Sequence, residues 1–152
     1  MTTNTTGMPG SDAAWYQTQF GVPTVRDYRM LRTRAGLLDK EPEAAAIGLA
    51  NSWHSVVVTR AGRPVGMGRI VGDGACHLQI VDVCVLPEHQ GRGLGRLIMQ
   101  ALCDELDDRA PASAWISLIA DGDAHHLYRR FGFVDTAPDG IGMYRTPRPA
   151  VD

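Results

Sequence analysis

The sequence predicts a single α/β domain built on a mixed sheet, mostly antiparallel with one parallel pair, and three observations predict it. Strand-like runs crowd between Ser55 and Leu86 with only short glycine turns between them; an amphipathic helix follows Gln90; another short apolar run, Trp115-Ile116-Ser117-Leu118-Ile119, follows that helix. Tight turns make the first three strands antiparallel neighbours. Strand, helix and strand across Cys76 to Ala120 demand a crossover, and right-handed crossovers join parallel neighbours.

The elements follow in order. Residues 1–14, rich in Thr, Gly, Pro and Ser, read as a flexible leader, and 15–152 as one domain. Trp15 to Phe20 suits a short strand. Pro23-Thr24-Val25-Arg26-Asp27 reads as a helix start with Thr24 as N-cap, Tyr28, Leu31 and Ala35 facing inward and Gly36 as the stop. A second helix follows Pro42 through Glu43, Ala44 to Ala46, Ile47 and Leu49. Ser55 to Thr59, Pro64 to Val71 and Cys76 to Leu86 form the three strands, with turns at Ala61-Gly62 and Gly72-Asp73-Gly74. Leu94, Leu97, Ile98, Ala101, Leu102 and Leu106 form one helical stripe, ended at Arg109-Ala110-Pro111. A short helix from about Asp123 to Arg130, an extended Phe133-Val134 and a last strand near Met143-Tyr144-Arg145 complete the chain.

The composition narrows the function. The chain has 152 residues, 44% apolar and 21% charged, enough for a core without disulfides or a structural metal. Its net charge of −2 lacks the basic excess of a phosphate-backbone binder, so no nucleic-acid partner is expected. Cys76, Cys84 and Cys103 are odd in number and form no C-x-x-C pair, which fits a reducing cytoplasm and indicates no metal site. No apolar run approaches a membrane span, and Met1 to Gly10 lacks the apolar stretch of a signal peptide.

The loop Gln90-Gly91-Arg92-Gly93-Leu94-Gly95 lies between a strand and an amphipathic helix, where free backbone N–H groups and the helix dipole favour an anion. A P-loop needs Gly-Lys-Ser/Thr, and there is no lysine here; a dinucleotide fingerprint starting at Gly91 needs glycine where Arg96 stands. Alone, the loop is either an anion cradle or a glycine-rich turn.

After a strand ending Val83-Cys84-Val85-Leu86-Pro87, the pattern Q-x-x-G-x-G resembles the pyrophosphate-binding signature of the GNAT superfamily of acyl-CoA-dependent N-acetyltransferases. Ala124-x-x-x-Tyr128-x-x-Phe131-Gly132-Phe133, about thirty residues on, matches a second motif of that superfamily. The resemblance runs from about Thr24 over most of the chain. It implies the GNAT fold, with the fourth and fifth strands parallel and splayed, and acetyl-CoA as co-substrate. Val83, Cys84 and Val85 would offer backbone groups to the pantetheine arm. Gln90, Gly91, Arg92, Gly93, Leu94 and Gly95, with Arg96 opening the helix, would wrap the pyrophosphate; Arg92 is either a phosphate contact or a solvated surface residue.

Acetyl transfer needs a neutral amine, a group to take its proton and a donor for the departing thiolate. By resemblance Tyr128 is the general acid; its other reading is a core tyrosine. A superfamily branch that uses a glutamate on the fourth strand would place it at Gln79, which cannot act as a base. The plant-type serotonin N-acetyltransferases and their cyanobacterial relatives are more similar, through Asp82-Val83, Ala120-Asp121 and Asp139-Gly140-Ile141-x-Met143, and they point to Asp121 as base; Asp121 could instead cap the loop. Asp82, in an apolar strand, is a second base candidate or a structural group bonded to backbone N–H or to Arg69. His125 and His126 read as an exposed helix face, Trp53, His54 and His77 as an acceptor pocket or packing, and Cys84 as a small buried hydrophobe.

These readings combine into an N-acetyltransferase acting by direct attack in a ternary complex on a primary amine: an arylalkylamine, a polyamine or a protein lysine. The alternative is a non-catalytic acyl-CoA-binding sensor or partner module. By resemblance a homodimer is expected.

Overall fold

A computed structural model describes residues 15–147. The leader at 1–14 lies outside them. The strands are β1 (Tyr16–Phe20), β2 (His54–Arg60), β3 (Arg63–Gly72), β4 (His77–Val85) and β5 (Trp115–Leu118), and the helices α1 (Val25–Arg34), α2 (Pro42–Ala50), α3 (Leu94–Arg109) and α4 (His125–Arg129). The five strands lie side by side in chain order. The first three pairings are antiparallel, and β4 with β5 is parallel, with Leu78 beside Ile116 and Ile80 beside Leu118. The mixed sheet predicted from the crossover is therefore present.

Local chemistry accounts for the element ends. Thr24 accepts a hydrogen bond from the Asp27 amide at 3.1 Å and caps α1 as expected. Ala61 and Gly62, both at positive φ, close the two-residue turn between β2 and β3, a twist that suits an antiparallel hairpin. Asp73 organises the next turn. Its carboxylate accepts from the amides of Ala75, Cys76 and His77 at 2.9, 2.8 and 3.0 Å.

Those three bonds, the one from His77 first, hold the Asp73 carboxyl below its ordinary pKa. A carboxylate depressed in the folded state contributes stability above its unfolded pKa and loses it as pH falls through the folded one. Thermal melts should therefore lose ground as the pH drops below about 4. Asp73→Asn should show a smaller acid loss than the wild type; an identical acid slope would remove Asp73 from the account.

Successive residues of a strand point to opposite faces, and β3 uses this to dress its two faces differently. Arg69 points toward α1 and α2, where it meets Tyr28 and the α2 carbonyl of Gly48. Gly66 and Gly68 point toward α3. A Cβ at Gly68 would stand 2.7 Å from Ile98 Cγ2 and 2.9 Å from Leu102 Cδ1, so α3 lies almost against the β3 backbone. The helix buries Leu94, Ile98, Met99, Leu102 and Leu106 there, each contributing about 1.5–3 kcal/mol by removal from water. Leu97, predicted on that stripe, keeps 37% of its surface exposed, and Met99 is fully buried. The face in contact is centred on the Leu94, Ile98 and Leu102 row, which leaves Leu97 at its margin.

The strand predicted near Met143-Tyr144-Arg145 does not form: residues 133–147 hold no strand. Met143 and Tyr144 are more than nine-tenths exposed. Strand propensity measures fit to a paired, half-buried surface, and these residues have no strand beside them. Pro138, Gly140, Gly142 and Pro147 break the run, and a turn from the Gly140 amide to the Thr136 carbonyl at 2.8 Å bends it.

Candidate active site

A cleft of about 640 Å³ opens where β4 ends and α3 begins. Val83, Cys84 and Val85 form one side, and Gln90, Gly91, Gly93, Leu94 and Gly95 another; Asp123, Ala124, Leu127 and Tyr128 supply a third, and Ala35, Leu37 and His89 complete the lining. The structure thus gathers Tyr128 with eight of the ten residues expected at a coenzyme site. Arg92 and Arg96 lie outside this lining. Arg96 faces a neighbouring groove with Gln100, Cys103, Asp107, Arg130 and Phe131.

The loop is shaped for an anion. Gln90 donates from Nε2 to the Val85 carbonyl at 2.9 Å and folds the chain back onto the strand end. Gly93, the N-cap of α3, has φ +80°, a conformation natural to glycine and costly to residues with a Cβ. No atom lies within 4 Å of where a Cβ at Gly91 or Gly93 would stand, so the loop backbone is open on that side. The first-turn amides of α3 have no intrahelical acceptor, and the dipole adds positive potential there. The residues present fit the pyrophosphate of an acyl-CoA.

Tyr128 is buried in the cleft, its ring meeting Phe133 edge-on with centroids 6.5 Å apart. Burial first, then the negative charge of Asp121, then Cys84, raises its phenol above the ordinary value. Asp121 stands at the turn between β5 and α4, exposed and outside the cleft lining. Its side chain makes no capping bond; the Asp121 carbonyl takes the Ala124 amide at 3.1 Å. Cys84 is buried, its thiol pushed up to about 12 chiefly by burial and secondarily by Asp82. It is a packed, protonated side chain, as its reading as a small hydrophobe anticipated.

Asp82 is held by a buried cluster. Its Oδ2 accepts from Tyr28 Oη at 2.9 Å and Arg69 Nε at 2.7 Å, and its Oδ1 from Arg32 Nη1. Arg69 also donates to the Gly48 carbonyl at 2.9 Å and Ser52 Oγ at 2.8 Å, and Arg32 to the Leu38 carbonyl at 2.7 Å. The structural reading of Asp82, with Arg69 as partner, is the one the geometry shows. Sequence reasoning missed Tyr28 and Arg32 as partners and Ala35, Leu37 and His89 as cleft residues. Tyr16 Oη lies 2.8 Å from His89 Nδ1, a contact across 73 positions that no local pattern signals.

His125 and His126 have ring centroids 4.0 Å apart, and His125 Nδ1 lies 3.0 Å from the Gly122 carbonyl. Among the described residues no group of three or more His, Cys, Asp or Glu side chains could hold a metal ion, and no helix is long and apolar enough to cross a membrane.

Residues 51–135 match the acetyltransferase (GNAT) domain. Serotonin N-acetyltransferase 2, chloroplastic, of Oryza sativa subsp. japonica is 38% identical over 103 residues, covering 61% of this chain and 50% of that protein. A histone acetyltransferase of Glycine max is 38% identical over 135 residues, covering 81% of this chain and 57% of that one. The chain spans about half the length of the curated relatives it matches. A protein of unknown function from meticillin-resistant Staphylococcus aureus, named a probable acetyltransferase, superposes with a TM-score of 0.83 at 41% identity, covering 87% of this chain and 99% of that one. With the sheet order, the parallel β4 and β5 pair and the glycine loop at the start of α3, these matches place the chain in the GNAT acetyltransferase family.

Proposed function

We propose that the protein transfers an acetyl group from acetyl-CoA to a primary amine by direct attack within a ternary complex, with Tyr128 as general acid and Asp121 as base. The observation that carries this is the placement of a buried, protonated phenol in the same cleft as the Val83–Val85 strand end and the open glycine loop. Acetyl-CoA supplies an activated acetyl group. Backbone groups of Val83, Cys84 and Val85 would hold its pantetheine arm, and Gln90 to Gly95 its pyrophosphate, with Arg92 and Arg96 as flanking cations.

An alkylamine is mostly protonated at neutral pH, with a pKa of about 10.4, so its proton must go to a base before attack. Asp121, exposed and uncommitted to a cap, is suited to receive that proton directly or through water. A backbone N–H near Cys84 or Val85 would stabilise charge developing on the acetyl oxygen. Tyr128 then donates its proton to the departing sulfur. Burial raises the Cys84 thiol and makes it a poor nucleophile, which supports direct attack over a covalent acetyl-enzyme.

Two features bear on the acceptor. Leu38 and Ile119, on the segments that carry the cleft residue Leu37 and the base candidate Asp121, are exposed apolar side chains. They favour an arylalkylamine over a polyamine, in keeping with the rice relative's name. A protein lysine is the other candidate, in keeping with the soybean relative's name.

The test is free-thiol release from acetyl-CoA against tryptamine, serotonin, spermidine and a lysine peptide, with a no-amine blank. Saturable release with one class supports the transferase. Gln79, which stands where a glutamate base would be in one branch of the family, motivates the second reading of a non-catalytic acyl-CoA-binding module. Coenzyme binding with no release at any amine concentration would favour that reading.

The pH profile gives a further expectation. A phenol raised by burial keeps its proton past its ordinary value of about 10, so no alkaline loss of rate from Tyr128 should appear below that pH. An alkaline limb below pH 9 that vanishes in Tyr128→Phe would contradict the raised phenol.

A further inference from the structure

We propose that Asp82, Arg32 and Arg69 are positioning residues for coenzyme binding: their buried cluster fixes a left-handed backbone turn in β4 and thereby aims Val83–Val85 into the cleft. This rests on the acetyl-CoA reading above.

The strand register locates the turn. Arg69 pairs with Val81 and Met67 with Cys84, so Asp82 and Val83 together stand opposite Gly68. That is a β-bulge, which bends its strand, increases the twist and leaves backbone groups out of the ladder. Asp82 has φ +59°, a region unfavourable to any residue with a Cβ and tolerated best by glycine, asparagine and aspartate. Such a conformation persists where its surroundings over-determine it. Here they do, because donors from α1 (Tyr28, Arg32) and β3 (Arg69) occupy both carboxylate oxygens. A carboxylate so engaged has no open face for an amine's proton, and Asp82 is not among the cleft-lining residues.

The charges show why the cluster holds together. Two guanidinium groups share one carboxylate, all three side chains at most about a tenth exposed, which leaves one positive charge in excess. The excess is met by helix ends. Arg32 sits in the last turn of α1, and Arg69 donates to Gly48 and Ser52 at the end of α2, a helix with no basic residue of its own in its last turn. Each helix C-terminus carries roughly half a negative charge, so the sum is close to zero only when both helices are in place. Arg32 also ties down Leu38, beside the cleft residue Leu37. One cluster therefore sets both the strand end and the α1–α2 loop that borders the same cleft.

The test compares wild type with Asp82→Asn, which keeps the shape and the tolerated backbone angle and removes the charge. Coenzyme A affinity by calorimetry, steady-state kcat and KM, the pH profile, and hydrogen exchange of the amides of 83–85 are read on each. The expected result is a rise of about tenfold in coenzyme Kd and KM, faster exchange at 83–85, kcat at saturation lowered by less than about threefold, and an unmoved pH profile. Unchanged Kd with kcat and the acid limb of the profile lost would make Asp82 the base and overturn the proposal. Unchanged Kd, kcat and exchange would reduce the cluster to general stability and overturn it as well. If Asp82→Asn does not fold, Tyr28→Phe removes one of the three donors and keeps every ion; a rise of about two- to threefold in Kd is expected, and no rise overturns the proposal. Should wild type bind no coenzyme A, the acetyl-CoA reading is what fails, and exchange at 83–85 still reports whether the cluster holds the bulge.

Discussion

Tyr128→Phe is expected to lower kcat about a hundredfold while leaving the fold and coenzyme affinity intact. A positioned general acid is worth roughly 10²–10⁴ in rate, and a thiolate is a good enough leaving group to place this step at the low end. Phenylalanine keeps the ring, so its edge-on contact with Phe133 and its packing behind the cleft survive. Only the hydroxyl is lost. Steady-state kinetics with calorimetric coenzyme binding on the same preparation separates the two effects. An unchanged kcat would remove Tyr128 from the chemistry and return it to the core. Asp121→Asn serves as its counterpart: lost activity that high pH does not restore supports proton acceptance, and wild-type activity gives that role to water.

The second large effect is expected at Gly68, where an alanine side chain would meet two buried methyl groups of α3 at under 3 Å. Ile98 and Leu102 are fully buried, so neither has free space to turn into. Overpacking of this kind costs about 1–3 kcal/mol. The helix must lift from the sheet, and its first turn carries the glycine loop, so coenzyme affinity should fall together with stability. Denaturant unfolding and coenzyme titration on Gly68→Ala measure both. A stable variant with normal affinity would show that the helix has room to move, against the close approach described above.

The regular elements were legible because their signals are local. Turn glycines spaced β2, β3 and β4; the Leu94, Ile98 and Leu102 row announced α3; Thr24 announced α1. The cleft was legible where a run of sequence builds it, at Val83–Val85 and Gln90–Gly95, and at Tyr128 through its motif. What stayed hidden was long-range. Tyr28 and Arg32 meet Asp82 across 54 and 50 positions, and nothing in a helix start predicts which strand its arginine will meet. Nothing local at Gly66 or Gly68 signals that a helix lies over them, since Ile98 and Leu102 come from thirty or more positions along the chain. The strand expected at Met143 failed for the opposite reason, a local preference with no neighbour to satisfy it.

The matching of sheet order to chain order has a kinetic side. The two hairpins of β2, β3 and β4 close over a two-residue turn and a turn at 73–76, so their loop-closure entropy is small. Pairing of β1 with β2 must wait for the helices at 21–53, and pairing of β4 with β5 for the crossover at 86–114. Contacts that close longer loops form more slowly. The meander should therefore gain amide protection first in pulse-labelled refolding, with the cleft assembled afterwards, since its loop and α4 lie on or beyond the last crossover; simultaneous protection of β3 and β5 would contradict that order. On this account the binding site is the youngest part of the folded molecule, raised on a platform that is already standing.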